Sequence, residues 1–385
     1  MKIEQTVGRA VFESAAFHGR TGEFHIIVRP TEPGSFEQQL DWVIQAYRDG
    51  VEDLGIGMNS AVLRRFFVSD PANQARALEA RAESNPESPD TPCAISWIGQ
   101  PPAPPARVAL WAYHVSDPRG LDKELSNGTL TLTRGEMAHR WTVGLTSCES
   151  GPGEQTREIL GQYDDELGAW GSTLADNVLR TWFFVRDIDV NYHEFVAARR
   201  EFFAAHGLTA QTHYIASSGI EGRAPDPRAS ITLDAWAVSG IRPEQIKYLA
   251  ALDHLSPTHR YGVTFERGTA VGWRDRRHVI ISGTASIDAG GNILHPGDVE
   301  KQCGRTLENI EALLKQAGAA MADMKMMVVY VRDTADFELA RKLVGERVGD
   351  TPFVVVLAPV CRPGWLIEIE GLAIVAADNP GMAEF

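Results

Sequence analysis

The chain has 385 residues, 37 basic against 51 acidic, for a net charge of −14, and 44% of it is hydrophobic. That length predicts two or three domains with proper cores, and the acidic balance argues against nucleic-acid binding as the main task, which selects a basic surface. Four widely spaced cysteines with no CxxC pair argue against a disulfide framework and fit a reducing cytoplasm; no run nears the roughly 18 apolar residues of a membrane span, and no secretory signal opens the chain.

In chain order, one pattern comes three times. Residues 61–70 read AVLRRFFVSD, residues 178–187 VLRTWFFVRD and residues 326–333 MMVVYVRD. Each is an apolar strand ending in a Val-(Ser/Arg)-Asp turn, at Asp70, Asp187 and Asp333. An amphipathic helix precedes each, at about 36–50, 154–170 and 298–317, and a second follows, at about 73–83, 191–206 and 336–348. In the helix from 298, Val299, Cys303, Leu307, Ile310 and Leu314 step by three or four, and Asp298 is placed to cap it. Two strands close each copy: CAISWIG with RVALWAYHV, HYIASSG with ASITLDAWAV, and FVVVLAPV with WLIEIEGLAIV. Strand pairs open each copy, seen best at RHVIISGTASID. The expected class is α+β: three units, each a mixed sheet with two helices on one face. Boundaries fall at 1–118, 119–250 and 251–385. Polar loops lie at 84–92 and 222–228, and PPAPP at 101–105 separates the last two strands of the first copy.

Three such units can pack like a homotrimer with clefts between neighbours, and fusion lets one cleft specialise. The last strand shows where. Leu366, Glu368 and Glu370 share one face, and Trp365, Ile367 and Ile369 the other. Two acids on so apolar a strand suit either a solvated sheet face or a carboxylate held in a cleft for acid/base work. At the place of Glu368 the earlier copies have Ala109 and Thr232; at the place of Glu370 they have Trp111 and Asp234. The main site is therefore expected in the third unit.

Glu368 is the candidate acid, because an apolar cleft raises a carboxyl pKa into a donor's range. Cys361 follows an apolar strand beside Arg362, whose cation is expected to lower the thiol pKa; the alternative is a small buried hydrophobe. Cys303 reads as core. Arg267, Arg199 and Arg362 offer guanidinium forks for carboxylates. Tyr261 and Tyr214 are candidates to orient a hydroxyl or carboxylate, or else core tyrosines with wet tips. Gly283 lets a ligand near the backbone or marks a bulge. Eleven histidines form no HxH or HExxH pattern, and GxGxxG and the P-loop are absent, so neither metal nor nucleotide cofactor is expected.

Residues 270–377 resemble the Rid proteins, the YjgF-like reactive-intermediate deaminases. The likeness is carried by ISGTASID, by the helix with Gly297, Asp298, Val299, Gln302, Leu307, Glu308, Asn309 and Ile310, by YVRD, and by IEIEGLAI. It implies sites between units and a functional glutamate at Glu368. The arginine with which Rid deaminases grip a substrate carboxylate falls at Val354. A closer similarity is to the chorismatases, three-lobed single-chain relatives that cleave chorismate to pyruvate and a cyclic acid. Tyr261-Gly262, Phe265-Glu266-Arg267, Gln302 with Cys303, and Glu368 carry this resemblance. Gly283, Cys361 and the set Thr181, Trp182, Tyr192, Phe195 and Arg199 resemble the branch that makes 3-hydroxybenzoate. Ala198 stands where the family has glycine, and its proline-rich stretch after Tyr-Gly is absent. The resemblance implies a pseudo-trimer of Rid-like (chorismate-mutase-like) units acting without a cofactor on a small carboxylate in the cytoplasm, with no nucleic-acid or membrane partner. Imine deamination and non-catalytic ligand binding are the alternatives, and a homo-oligomer of pseudo-trimers is left open.

Overall fold

A computed structural model describes residues 2–86 and 92–385, so part of the loop expected at 84–92 lies outside the described residues. The described residues form three six-stranded mixed sheets of one topology. The first unit contains β1 (Lys2–Val7), β2 (Ala10–His18), β3 (Gly22–Pro30), α1 (Phe36–Asp53), β4 (Ala61–Val68), α2 (Pro71–Glu79), β5 (Ala94–Gly99) and β6 (Val108–Ser116). The second contains β7 (Asp122–Ser126), β8 (Thr129–Arg134), β9 (Met137–Thr146), α3 (Pro152–Ala169), the single turn α4 (Leu174–Asn177), β10 (Val178–Val185), α5 (Ile188–Ala205), β11 (Ala216–Glu221) and β12 (Ile231–Ser239). The third contains β13 (Ile246–Leu249), β14 (Gly268–Gly272), β15 (Arg276–Ala285), α6 (Val299–Gln316), β16 (Met324–Val331), α7 (Phe337–Val348), β17 (Phe353–Leu357) and β18 (Ile367–Ala376). Strand orders are β1-β2-β3-β6-β4-β5, β7-β8-β9-β12-β10-β11 and β13-β14-β15-β18-β16-β17, each with one parallel pair at the edge. Because β13 joins the third sheet, that unit already includes Ile246, ahead of the expected 251. No helix among the described residues is long and apolar enough to cross a membrane.

The repeated aspartates act at helix starts, in two ways. Asp70 accepts from Asn73 N at 3.4 Å, and Asp333 from Ala335 N at 2.9 Å. Asp298 likewise caps α6 through Lys301 N at 3.0 Å. Asp187 instead takes a left-handed φ of 47° with no side-chain cap. There the Glu221 carboxylate of β11 accepts the Asp187 and Ile188 amides at 3.0 and 2.7 Å, an anion at a helix N-terminus.

The inner strands β4, β10 and β16 are buried on both faces almost throughout. On β6, Val108, Leu110 and Ala112 pack toward the first unit's helices, while Ala109, Trp111 and Tyr113 join the core shared by all three units. Glu368 and Glu370 lie on the inward face of β18, 6% and 2% exposed, so the solvated-face reading fails. The parallel edge strands join neighbouring units. Near β5, Gly99 N donates to Arg223 O; near β11, Glu221 N donates to Pro359 O; near β17, Ala103 N donates to Val355 O. The proline stretch 101–105, read as a spacer, is therefore also a contact with the third unit, through Pro101 O and Leu357 N at 2.8 Å.

Candidate active site

Strand registers fix the equivalences between units. Val331 pairs with Ile367, Val68 with Val108 and Val185 with Ile231, so the next residues, Glu368, Ala109 and Thr232, are equivalent, as are Glu370, Trp111 and Asp234. These are the correspondences read from the sequence.

Glu368 faces a cleft between the second and third units. Tyr192 and Arg199 of α5 and Ser217 and Ser218 of β11 form one wall. Phe265, Arg267, Gly283, Cys361, Arg362 and Trp365 form the other. Burial, and then the negative Glu370 two residues on, push the Glu368 carboxyl up to about 8, against the opposing pull of Arg267 and Arg180. Glu370 is fully partnered: Arg180 Nη2 and Ser218 Oγ donate to its Oε2 at 2.7 and 2.5 Å, and Trp182 Nε1 to its Oε1 at 2.7 Å. One strand face thus carries an anchored acid and a proton-holding one.

Gly283 lies at a β-bulge, where the β15–β18 register shifts between Ile281 and Thr284. A Cβ there would clash with Glu368 Oε1. The bulge is one of the two readings offered for Gly283, and the acid's side chain lies against this backbone. Cys361 departs from expectation. Arg362 does favour the thiolate, but burial outweighs it, with Glu368 adding to the push, and the thiol is driven up to about 12; it stays protonated and hydrogen-bonds with the Tyr192 hydroxyl.

The three arginines do converge. Arg199 is buried, donates from Nε to Thr264 Oγ1 at 3.2 Å and sits 4.8 Å over the Phe195 ring. Arg267 donates to Ser256 O at 3.0 Å and lies 5.3 Å from the Phe265 ring. Arg362 lies 5.3 Å over Trp365. Tyr214 packs in the hydrophobic cluster that also holds Val263 and touches Phe265 and Cys361, with its amide on Glu266 Oε1 at 2.8 Å and its hydroxyl under the influence of Arg199. Tyr261 closes a 3-10 turn, Thr258–Tyr261, and its side chain lies outside the described residues. Sequence reasoning missed Ser218 and Arg180. Their signal was polarity in the middle of otherwise buried strands, since a charge there needs a partner.

The other two interfaces differ. Between the first and second units the anchor persists: Asp234 accepts from Arg65 Nη2 at 2.8 Å, Ser96 Oγ at 2.6 Å and Gly144 N at 2.8 Å, while the acid's place is Thr232. There too the β9–β12 register shifts, between Leu233 and Ala235. Between the third and first units neither acid exists, and β3 pairs with β6 without a shift.

Residues 269–375 match the family described as endoribonuclease L-PSP. A RutC family protein from Pyrococcus abyssi is 32% identical over 97 residues, 25% of this chain and 76% of that protein. The chain belongs to the RutC (Rid) family. The chain is 30% identical over 218 residues to a protein named chorismatase from Streptomyces rapamycinicus, covering 51% of this chain and 64% of that one. To a protein named 3-hydroxybenzoate synthase from Streptomyces hygroscopicus it is 28% identical over 222 residues, with the same shares. The chain thus spans less than two thirds of the length of these two relatives. A crystal structure of a chorismatase superposes with a TM-score of 0.63 at 19% identity, over 82% of this chain and 94% of that one. This RutC family member therefore shares the chorismatase fold.

Proposed function

We propose that the chain is a cofactor-free, cytoplasmic enzyme of chorismatase type, three Rid-like lobes fused as a pseudo-trimer, with its working site between the second and third. The observation that carries this is a carboxyl, Glu368, buried in a cleft lined by Arg199, Arg267 and Arg362, where enclosure pushes its pKa up to about 8. Enol-ether cleavage needs such a donor. Glu368 gives its proton to the terminal carbon of the enolpyruvyl group, leaving an oxocarbenium ion. Water adding there gives a hemiketal, which releases pyruvate and the ring alcohol, with one water consumed overall. Formation of an aromatic hydroxy acid takes up no net water, since the ring gives up one of its own. General acid catalysis of this kind is worth roughly 10²–10⁴-fold.

In this reading the arginines hold the substrate's carboxylates. Cys361, as a neutral thiol, acts on the intermediate after the bond breaks and so on which product forms. Val354, at the place of the Rid carboxylate arginine, weighs against imine deamination. The experiment is pyruvate release by the purified full chain, with chorismate first and imines of amino acids second. Pyruvate from chorismate, lost in Glu368→Gln, supports the proposal. Ammonia release from imines with no pyruvate from chorismate would place the chain with the deaminases, and turnover of neither would leave ligand binding.

A further inference from the structure

The two acids of β18 are served unequally by hydrogen-bond donors. Arg180, Trp182 and Ser218 all donate to Glu370. No described residue donates a hydrogen bond to the Glu368 carboxyl, although the Gly283 backbone lies against it. The Gly283 N–H goes instead to Ser218 Oγ, at 2.9 Å. That hydroxyl is saturated: it gives one proton, to Glu370 at 2.5 Å, and accepts two bonds, from Gly283 N and from Arg180 Nη2 at 2.7 Å. The interface between the first and second units supplies the contrast. Gly144, at the same bulge position, gives its N–H directly to the carboxylate Asp234, and no acid stands beside it.

We propose that Ser218 is a positioning residue that keeps Glu368 in its acid form: it takes the Gly283 N–H, so that this backbone donor is not available to the Glu368 anion, and directs its own proton to Glu370. A backbone N–H on a carboxylate favours the charged form, so withholding it favours the neutral one. The other charged and titratable groups around Glu368 are Glu370 on its own strand, Arg180 on β10, Arg267 before β14, Tyr330 on β16, Tyr192 and Arg199 on α5, and Cys361 and Arg362 before β18. Ser218 is the one that touches both the Gly283 amide and Glu370. The inference rests on the reading of Glu368 as the acid, but its test does not require the substrate.

The carbonyl stretch of protonated Glu368 is followed by infrared difference titration of the full chain and assigned by its loss in Glu368→Gln. Ser218→Ala is expected to move the midpoint down by about one pH unit, roughly tenfold in proton affinity, and Ser218→Gly to do the same. Ser218→Thr, which keeps the hydroxyl, is expected to leave it in place. With chorismate as substrate, the alkaline limb of kcat should follow the infrared midpoint while KM moves less. An unchanged midpoint in whichever of the Ala and Gly variants folds overturns the proposal. A shifted midpoint in a protein that releases no pyruvate upholds it and removes the chorismate reading instead.

Discussion

Arg65 of the first unit meets Asp234 of the second at 2.8 Å, and neither side chain reaches solvent. Breaking such a pair leaves a charge buried alone, at a cost of about 3–5 kcal/mol. Arg65→Met is therefore expected to lower the melting temperature clearly, and the double variant Arg65→Met/Asp234→Leu to recover most of it. Thermal denaturation of the set checks this. Because Thr232 holds the acid's place at this interface, the folded fraction of Arg65→Met should turn over like the parent.

Gly283→Ala tests the crowding at the bulge. The atom a new Cβ meets first is Glu368 Oε1, the far end of a flexible side chain, so the carboxyl moves and the fold survives. Melting is expected within a few degrees of the parent. A displaced donor loses alignment, and kcat is expected to fall about 10–100-fold. Parent-like kcat at all pH values would show that the acid works from more than one position.

Glu368→Gln keeps the shape and removes the proton. It is expected to cut kcat about 10²–10⁴-fold, more than it changes KM. The pH dependence has a definite sign. The folded carboxyl is raised from 4.5 to about 8, so the native state binds the extra proton. Its stabilising effect is complete below pH 4.5 and is lost as pH rises toward 8. The Gln variant should melt with the parent near pH 4 and above it near pH 9, by on the order of 4 kcal/mol if the whole shift is expressed. In the parent, kcat should fall as pH rises through about 8. Melting curves and kcat from pH 4 to 9 check both.

Cys361→Ala separates acid from thiol. The thiol is protonated and sits beside Tyr192, so its loss should leave substrate consumption within about threefold of the parent and change the ratio of products. Chromatography of the products decides. Loss of turnover equal to that of Glu368→Gln would make the thiol part of the proton-delivery step.

Much of the frame was legible. The Val-x-Asp turns, the helix spacings and the alternation around Glu368 are local patterns, and local patterns carry over directly into Asp298 capping α6 and Ala109 and Thr232 matching the acid. What was not legible came from elsewhere in the chain. Ser218 and Arg180 lie about 150 and 190 residues before Glu370, and nothing in either strand names its partner. The Cys361 expectation failed because adjacency in sequence put Arg362 first, whereas enclosure by α5 and β18 decides the proton.

The bulges at Gly144 and Gly283, and the unbroken pairing of β3, show that three equivalent boundaries are written in three different sets of residues. In an assembly of identical subunits, one codon change appears at every boundary at once. Here it appears at one. Each cleft can be redesigned separately, with the other two serving as unaltered internal controls in the same molecule.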